Sequence, residues 1–153
     1  MATKLYIGYQ EYGFLTQRLV KELMFQKWGS KLTHVYGPPR GGWPIAVHLA
    51  HHLNLKLITE NIYTFLTNYN RQEYGILVCD DVVDSGHTLK GIKHIIENQA
   101  LIKFPIFWKS CSLHLKPRAC IHPDLHLEEV PDDHWIVYPW ESATEPDKEY
   151  MKE

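Results

Sequence analysis

The residues with the clearest chemical capacity are two adjacent carboxylates, Asp80 and Asp81. They follow an apolar run at residues 76–79 that has no polar alternation, which predicts a strand buried on both faces. A polar turn at residues 84–88 comes next, and beyond it apolar residues recur at helical spacing. A strand, a glycine-containing turn and a helix form a site where backbone N–H groups and the helix dipole hold a phosphate. The carboxylates beside it suit a sugar diol and a hard cation such as Mg²⁺.

A second loop with phosphate-binding chemistry occurs earlier in the chain. Residues 32–36 predict a strand, residues 43–53 predict a helix, and the loop between them contains Arg40, Gly41 and Gly42. Glycines allow the backbone to approach a ligand closely, and the guanidinium offers a planar fork to phosphate oxygens. Taken alone, this loop is equally well explained as a Pro/Gly turn with a surface arginine.

The elements that must position these residues predict an α/β fold. Further predicted elements are an amphipathic helix at 11–28 ended by Gly29, strands at 55–58, 61–66, 101–108 and 125–130, and a helix at 89–98. Strands that alternate with helices indicate a parallel sheet with right-handed crossovers.

Ligands of such a sheet gather at the carboxyl ends of its strands. Several charged residues are predicted to follow strand ends directly: Arg40, Asp80, Asp81, Asp84 and Lys109. Separate segments therefore deliver charge to one edge of the sheet.

Composition narrows the functional class. The chain has 153 residues, 44% of them hydrophobic and 22% charged, which is typical of one globular domain. A net charge of -2 without a basic run gives no indication of nucleic acid as a partner, and no apolar stretch is long enough for a membrane span. Three cysteines are an odd and sparse set, so we expect a reducing, cytoplasmic location.

Residues 74–89 resemble the phosphoribosyl-diphosphate motif of the type I phosphoribosyltransferases: an apolar strand, two acids, then a small-residue loop that ends in Thr88. The resemblance implies a central, mostly parallel sheet flanked by helices, with a small hood from the C-terminal segment. We expect a single domain over 1–141, with the hood at approximately 110–141, and a charged tail at 142–153. An acidic strand-to-helix turn without a ligand is the alternative.

The resemblance also implies which residues bind each part of the phosphoribosyl diphosphate. The turn formed by Asp84, Ser85, Gly86, His87 and Thr88 would hold the 5′-phosphate. Asp80 and Asp81 would bind the ribose hydroxyls and help to place Mg²⁺. Arg40 and the amides of Gly41 and Gly42 would stabilise the departing diphosphate, beside a Pro39–Arg40 peptide that is expected to be cis.

The last third of the chain resembles the xanthine-guanine phosphoribosyltransferases. The similarity lies in Phe107-Trp108-Lys109, then Trp135-Ile136, then Pro139-Trp140-Glu141. It implies transfer of ribose 5-phosphate to guanine, xanthine or hypoxanthine. Lys109 would donate to the 6-oxo group, Trp135 would stack on the ring, Ile136 would offer backbone groups to the 2-position, and Asp84 would act as a general base at N7.

Other interpretations stay open. A non-catalytic regulator would bind phosphoribosyl diphosphate or a nucleotide through the same motif, and a transferase would act on another base. Cys111 and His114 with Cys120 and His122 suggest a zinc site, although their spacing fits no standard pattern. A receiver domain would carry its acidic pair after the first strand. The family further implies a mobile loop at 67–74, with Arg71 as its phosphate contact, and a homodimer or homotetramer.

Overall fold

The computed structural model describes residues 3–69, 73–98 and 103–141. Arg71 and the tail at 142–153 lie outside the described residues. The helices and strands are β1 (Thr3–Tyr6), α1 (Tyr9–Phe25), β2 (His34–Tyr36), α2 (Gly42–His52), β3 (Lys56–Leu57), α3 (Ile62–Tyr69), β4 (Tyr74–Val83), α4 (His87–Glu97), β5 (Ile106–Leu115), β6 (Leu125–Glu129), β7 (His134–Val137) and a 3₁₀ turn (Pro139–Glu141).

The expected mostly parallel sheet is confirmed. Five strands pair in the order β3-β2-β4-β5-β6, and every pair is parallel. The acidic strand β4 lies at the centre, so β2 and β5 bring their loops to either side of it. The strands β1 and β7 form a separate parallel pair that brings the N-terminal segment onto the C-terminal one.

Burial on both faces explains the uniform apolar run of β4. Leu77 and Cys79 belong to the core that includes side chains of α1 and α2, whereas Ile76 and Val78 belong to the core that includes α3 and α4. All four are at most 2% exposed. Successive side chains of a strand point to opposite faces, so neither face of β4 tolerates a polar residue before the strand reaches the carboxyl edge.

The strand predicted at 61–66 is wrong, because α3 occupies this segment. Ile62, Phe65 and Leu66 are all buried, and they fall at the i, i+3, i+4 spacing of a helix. Asn61 caps the helix, since its Oδ1 accepts from the N–H of Tyr63 at 2.8 Å. The aromatic and β-branched side chains favoured a strand by composition, but packing against α4 favours the helical period.

The fifth strand ends later than predicted, which changes two interpretations. Residues 101 and 102 lie outside the described residues, and β5 runs from Ile106 to Leu115 rather than ending at Trp108. Residues 110–115 and β6 therefore belong to the central sheet, and the predicted start of the hood is wrong. The remaining hood consists of the β1–β7 pair and the 3₁₀ turn. None of the described helices is long and apolar enough to cross a membrane.

Candidate functional site

The side chains of the two adjacent carboxylates, Asp80 and Asp81, lie on opposite faces of the sheet near its carboxyl edge. They lie within β4, which continues to Val83, so their side chains alternate between faces. Asp80 lines a small hollow with the polar turn that follows the strand. Asp81 is buried and lies against the earlier loop: a Cβ built on Gly41 would stand 2.2 Å from its Oδ2.

Both carboxyl groups are harder to ionise than usual. Burial, and then the neighbouring Asp81, hold the pKa of Asp80 well above its ordinary value. Burial also raises the pKa of Asp81, even though its Oδ1 accepts from the N–H of Val82 at 2.7 Å. Asp81 is buried and Asp80 partly buried, and a nearby cation stabilises two such acids because a positive charge offsets both desolvation and their mutual repulsion.

The turn after β4 forms a hollow of about 90 Å³. Its lining consists of residues of β4, the turn and the first turn of α4: Asp80, Val82, Val83, Asp84, Ser85, Gly86, Thr88 and Leu89. Gly86 has a φ of 86°, a left-handed conformation that glycine adopts without strain. Ser85 Oγ accepts from the N–H of His87 at 3.3 Å, so the His87 amide is already engaged within the turn.

The arginine loop faces the same edge from β2. The Pro39–Arg40 peptide is cis, as expected. Arg40 is exposed and lines a cleft of about 600 Å³ with Gly41, Trp135 and Glu141. The expected role of the Gly42 amide is not supported, because this N–H donates to the Pro38 carbonyl at 3.0 Å. Gly42 instead permits close packing: a Cβ there would stand 2.6 Å from the Cys79 carbonyl oxygen.

The predicted position of Lys109 is wrong. Lys109 pairs with Leu77 and lies six residues before Leu115, the last residue of β5, which is roughly 20 Å along the strand. Its Nζ lies 3.9 Å from Asp124 Oδ1 and over the ring of Trp28. Lys109 is thus three residues, roughly 10 Å, short of the level of Asp80 along the strands, and its ammonium lies against Asp124 instead.

The lysine at that edge is Lys116, directly after β5. Its N–H donates to the Val83 carbonyl at 2.9 Å, which continues the pairing of β5 with β4 up to the polar turn. Its side chain is 5% exposed, and its Nζ donates to Asp84 Oδ2 at 3.3 Å. Burial raises the pKa of Asp84, but the hydrogen bonds from Arg118 and Lys116 outweigh it and lower that pKa overall. Asp84 is thus held as a carboxylate.

The hood contributes the aromatic side of the cleft. Trp135 is 55% exposed on β7 and shares the cleft with Val137, two residues along the same face of the strand. Ile136 points the other way into the core and is 6% exposed, so only its backbone is available to a ligand. The strand β1 fixes this register, because Lys4 pairs with Trp135.

Sequence reasoning missed Lys116, Arg118 and Glu141 as site residues. A signal for Lys116 was present: residues 110–115 alternate polar and apolar side chains, which predicts a continuing strand, and Pro117 ends it. Glu141 ends the Pro139-Trp140-Glu141 motif, and it lies in the cleft with Arg40. No local sequence pattern marks Arg118 as a site residue, because its partner Asp84 is 34 residues away in the chain.

The suggested zinc residues have other surroundings. Cys111 is buried in the core, and His114 Nδ1 lies 2.8 Å from the hydroxyl of Tyr138. Cys120 lies against the turn, since its N–H donates to the Ser85 carbonyl at 2.8 Å. Within residues 3–69, 73–98 and 103–141, no three His, Cys, Asp or Glu side chains are grouped as metal ligands.

Buried His114 predicts acid sensitivity of the fold. Its side chain is fully buried, and burial lowers its pKa despite Glu128 at 3.7 Å. The unfolded chain therefore binds a proton below about pH 6.5 that the folded chain resists, so stability is complete above that pH and declines below it. Urea unfolding should give a lower free energy of unfolding at pH 5.5 than at pH 7.5, and His114→Gln should reduce that difference. The exposed His51→Gln is the control, and an unchanged difference in His114→Gln would contradict the assignment.

Comparison with known proteins gives consistent likenesses. No model of a protein family matches the chain. A curated xanthine-guanine phosphoribosyltransferase of Cereibacter sphaeroides is 26% identical over 125 residues, covering 71% of this chain and 69% of that protein. Across four such relatives the share of their own length that is covered runs from 36% to 69%.

Solved structures match over most of the chain. A purine phosphoribosyltransferase from Pyrococcus horikoshii superposes with a TM-score of 0.71 at 25% identity, covering 90% of this chain and 94% of that one. A xanthine-guanine-hypoxanthine phosphoribosyltransferase of Helicobacter pylori superposes with a TM-score of 0.76 at 22% identity, and 99% of each chain is covered.

Proposed function

We propose that this chain, which has the type I phosphoribosyltransferase fold and resembles the xanthine-guanine enzymes, transfers ribose 5-phosphate from phosphoribosyl diphosphate to a 6-oxopurine. The observation that carries the proposal is the position of Asp84. Its carboxylate lies between a hollow with the backbone features of a phosphate site and the buried ammonium of Lys116. One residue thus connects the ribose-phosphate side of the reaction to the base side.

In the reaction, a ring nitrogen of the purine forms a bond to C1 of the ribose while the bond from C1 to the diphosphate oxygen breaks. The ring N–H proton leaves, and the products are a nucleoside 5′-monophosphate and diphosphate. Positive charge develops at C1, so the protein must control anions rather than supply a strong nucleophile. Ser85, Gly86 and Thr88 hold the 5′-phosphate, and His87 begins the helix whose N-terminus faces it.

Arg40, beside Pro39, binds the departing diphosphate with the Gly41 backbone. Gly42 allows the arginine loop to pack against β4, and this packing fixes the position of Arg40 relative to the strand. Asp84 accepts the ring N–H proton or the hydrogen bond that precedes its loss. Its lowered pKa makes it a weak base and a good acceptor, which suits a hydrogen bond to N7.

Lys116 takes the role expected of Lys109. An ammonium donates to the 6-oxo group of guanine, xanthine or hypoxanthine, whereas adenine presents a donor at that position and leaves the lysine unpaired. Trp135 stacks on the ring, and the backbone of Ile136 contacts the 2-position. Backbone groups read the 2-substituent, so the side chains do not separate the three bases.

The donor set fits Mg²⁺. Asp80 and Asp81 are hard oxygen ligands, and a cation offsets the cause of their raised pKa values. Mg²⁺ is usually held by one or two carboxylates together with substrate phosphates, so a two-carboxylate site is sufficient. When bound, the ion neutralises diphosphate charge. Asp80 and Asp81 also accept from the ribose hydroxyls.

The location proposed for the enzyme follows from its thiols, and the assembly proposed for it follows from its surface. Cys79, Cys111 and Cys120 are free thiols, which is usual in the reducing cytoplasm. An apolar hollow beside Arg40, formed by Trp43, Val47 and neighbouring residues, is suited to burial in a homodimer or homotetramer. Sedimentation velocity measures that state directly.

The test of the function is an assay of diphosphate release. Phosphoribosyl diphosphate and Mg²⁺ are supplied with guanine, xanthine, hypoxanthine or adenine in turn, and chromatography identifies the nucleotide. We expect turnover with a 6-oxopurine, little with adenine, and loss of turnover with a chelator. Binding of phosphoribosyl diphosphate without turnover on any base would favour the regulator, and turnover only with another base would favour a different transferase.

A further inference from the structure

Arg118 makes a close charged contact with Asp84, and the proposed reaction gives Arg118 no role. Its Nε donates to Asp84 Oδ1 at 2.9 Å and its Nη2 donates to the same oxygen at 2.5 Å. Lys116 holds the other oxygen, Oδ2, at 3.3 Å. The Asp84 carboxylate is therefore fixed by a guanidinium on one oxygen and an ammonium on the other.

The backbone around Arg118 is anchored independently of this ion pair. The Arg118 N–H donates to Asp132 Oδ1 at 3.0 Å, in the segment that leads into β7. The Ala119 N–H donates to the Lys116 carbonyl at 3.0 Å, and the Cys120 N–H donates to the Ser85 carbonyl at 2.8 Å. The turn that carries Arg118 is thus tied to the phosphate turn and to the hood, so the guanidinium approaches Asp84 from a fixed direction.

We propose that Arg118 is a positioning residue of the base subsite, which keeps the Asp84 carboxylate aligned and leaves Lys116 free to donate to the purine. The inference rests on the proposed function. Lys116 has three N–H donors and Asp84 takes one of them. Without Arg118, Lys116 is the remaining cationic partner of the carboxylate among the described residues, and the carboxylate rotates toward it. The Lys116 ammonium then donates more of its hydrogen bonds to Asp84 and fewer to the 6-oxo group.

An ordinary surface ion pair is the competing explanation. The Arg118 side chain is 52% exposed, and exposed pairs contribute little to stability. The chain contains a matched control in Arg18, which is also 52% exposed and whose Nη1 lies 3.2 Å from Glu128 Oε1. Arg18 lies on α1, outside the site, and its Nη2 also donates to the Leu127 carbonyl at 3.4 Å, so its removal reports the loss of exposed surface contacts.

The experiment measures steady-state kinetics for both substrates in wild type, Arg118→Ala, Arg118→Lys and Arg18→Ala, each with its urea unfolding midpoint. We expect Arg118→Ala to raise KM for the base about tenfold, with KM for phosphoribosyl diphosphate within about twofold of wild type. Arg118→Lys keeps the charge without the two-donor fork and should recover part of the loss. Arg18→Ala should match wild type in both KM values.

The possible outcomes distinguish failure of the positioning role of Arg118 from failure of the proposed function. Wild-type turnover with a base KM in Arg118→Ala equal to that of Arg18→Ala would overturn the positioning role alone. Equal rises in KM for both substrates would do the same, because that result indicates general loosening of the site. No turnover by wild type on any base would overturn both the function and the inference. If Arg118→Ala fails to fold, Arg118→Lys carries the test, and a base KM unchanged from wild type would overturn the proposal.

Discussion

If the proposed function holds, replacing Lys116 with alanine should reduce kcat/KM for 6-oxopurines by up to about 10⁴-fold, because the variant removes the charged donor proposed to distinguish an oxo from an amino group. Lys116 is buried beside Asp84, where a hydrogen bond is stronger than in water and an unpaired group is costly. Alanine also leaves Asp84 with Arg118 as its remaining cationic partner. Discrimination against adenine should fall with the activity. The measurement is kcat/KM for guanine, hypoxanthine and adenine in wild type and variant.

Lys109→Ala is the matched control for this prediction. It removes the same side chain from the same strand region, but its Nζ lies 3.9 Å from Asp124 and far from the polar turn. We expect its kcat/KM to stay within about threefold of wild type, since a partly exposed ion pair contributes little. A large loss in Lys109→Ala together with wild-type kinetics in Lys116→Ala would reverse the assignment and restore the sequence-based prediction.

The contrast between these lysines shows what the sequence determines and what it leaves open. The acidic motif was predicted well because its parts are contiguous: the apolar run, the two acids and the turn follow one another on β4 and α4. Their relation is set by local geometry, so spacing alone is informative. The sheet class followed for the same reason, since each strand–loop–helix unit is local.

The choice of the lysine proposed to contact the purine base depends on where β5 ends, and the end of β5 depends on packing. Ser112 and His114 are polar, yet both are fully buried in β5 because they find hydrogen-bond partners inside the protein. The Oγ of Ser112 donates to the His114 carbonyl at 2.8 Å, and His114 lies against Tyr138. Tyr138 lies 24 residues along the chain from His114, so the sequence pattern does not show that this polar strand residue has a buried partner. The error in strand length moved the expected lysine by seven positions, from Lys109 to Lys116.

Residue spacing in the sequence also does not predict side-chain contacts between residues that are far apart in the chain. Arg118 and Asp84 come together because β4 and β5 are neighbours with a defined register. Gly41 and Asp81 meet because β2 pairs with β4 on the other side. Each of these contacts joins two segments that the sequence does place at one edge of the sheet, but the side-chain partners follow from strand register, which a single sequence does not specify.

Gly41→Ala should nearly abolish transfer while leaving the backbone of the loop intact. Gly41 has φ −61° and ψ −34°, a conformation that alanine adopts freely, so the added methyl acts only through space. That methyl would stand 2.2 Å from Asp81 Oδ2 and 2.5 Å from Asp81 Cγ. The carboxylate must move, and displacement of a catalytic group by about 1 Å costs roughly 100-fold in rate. We expect kcat/KM for phosphoribosyl diphosphate to fall by at least about that factor.

A double-mutant cycle tests the cause of this loss. In an Asp81→Ala background the three atoms nearest the new methyl, Oδ1, Oδ2 and Cγ of Asp81, are absent. If displacement of the carboxylate is the cause, Gly41→Ala should add little to the loss already produced by Asp81→Ala. Gly13→Ala on α1, where nothing lies within 4 Å of the built Cβ, controls for the substitution itself. Additive losses in the double mutant would mean that Gly41 acts without Asp81, and the diphosphate loop and the buried acid would then work independently.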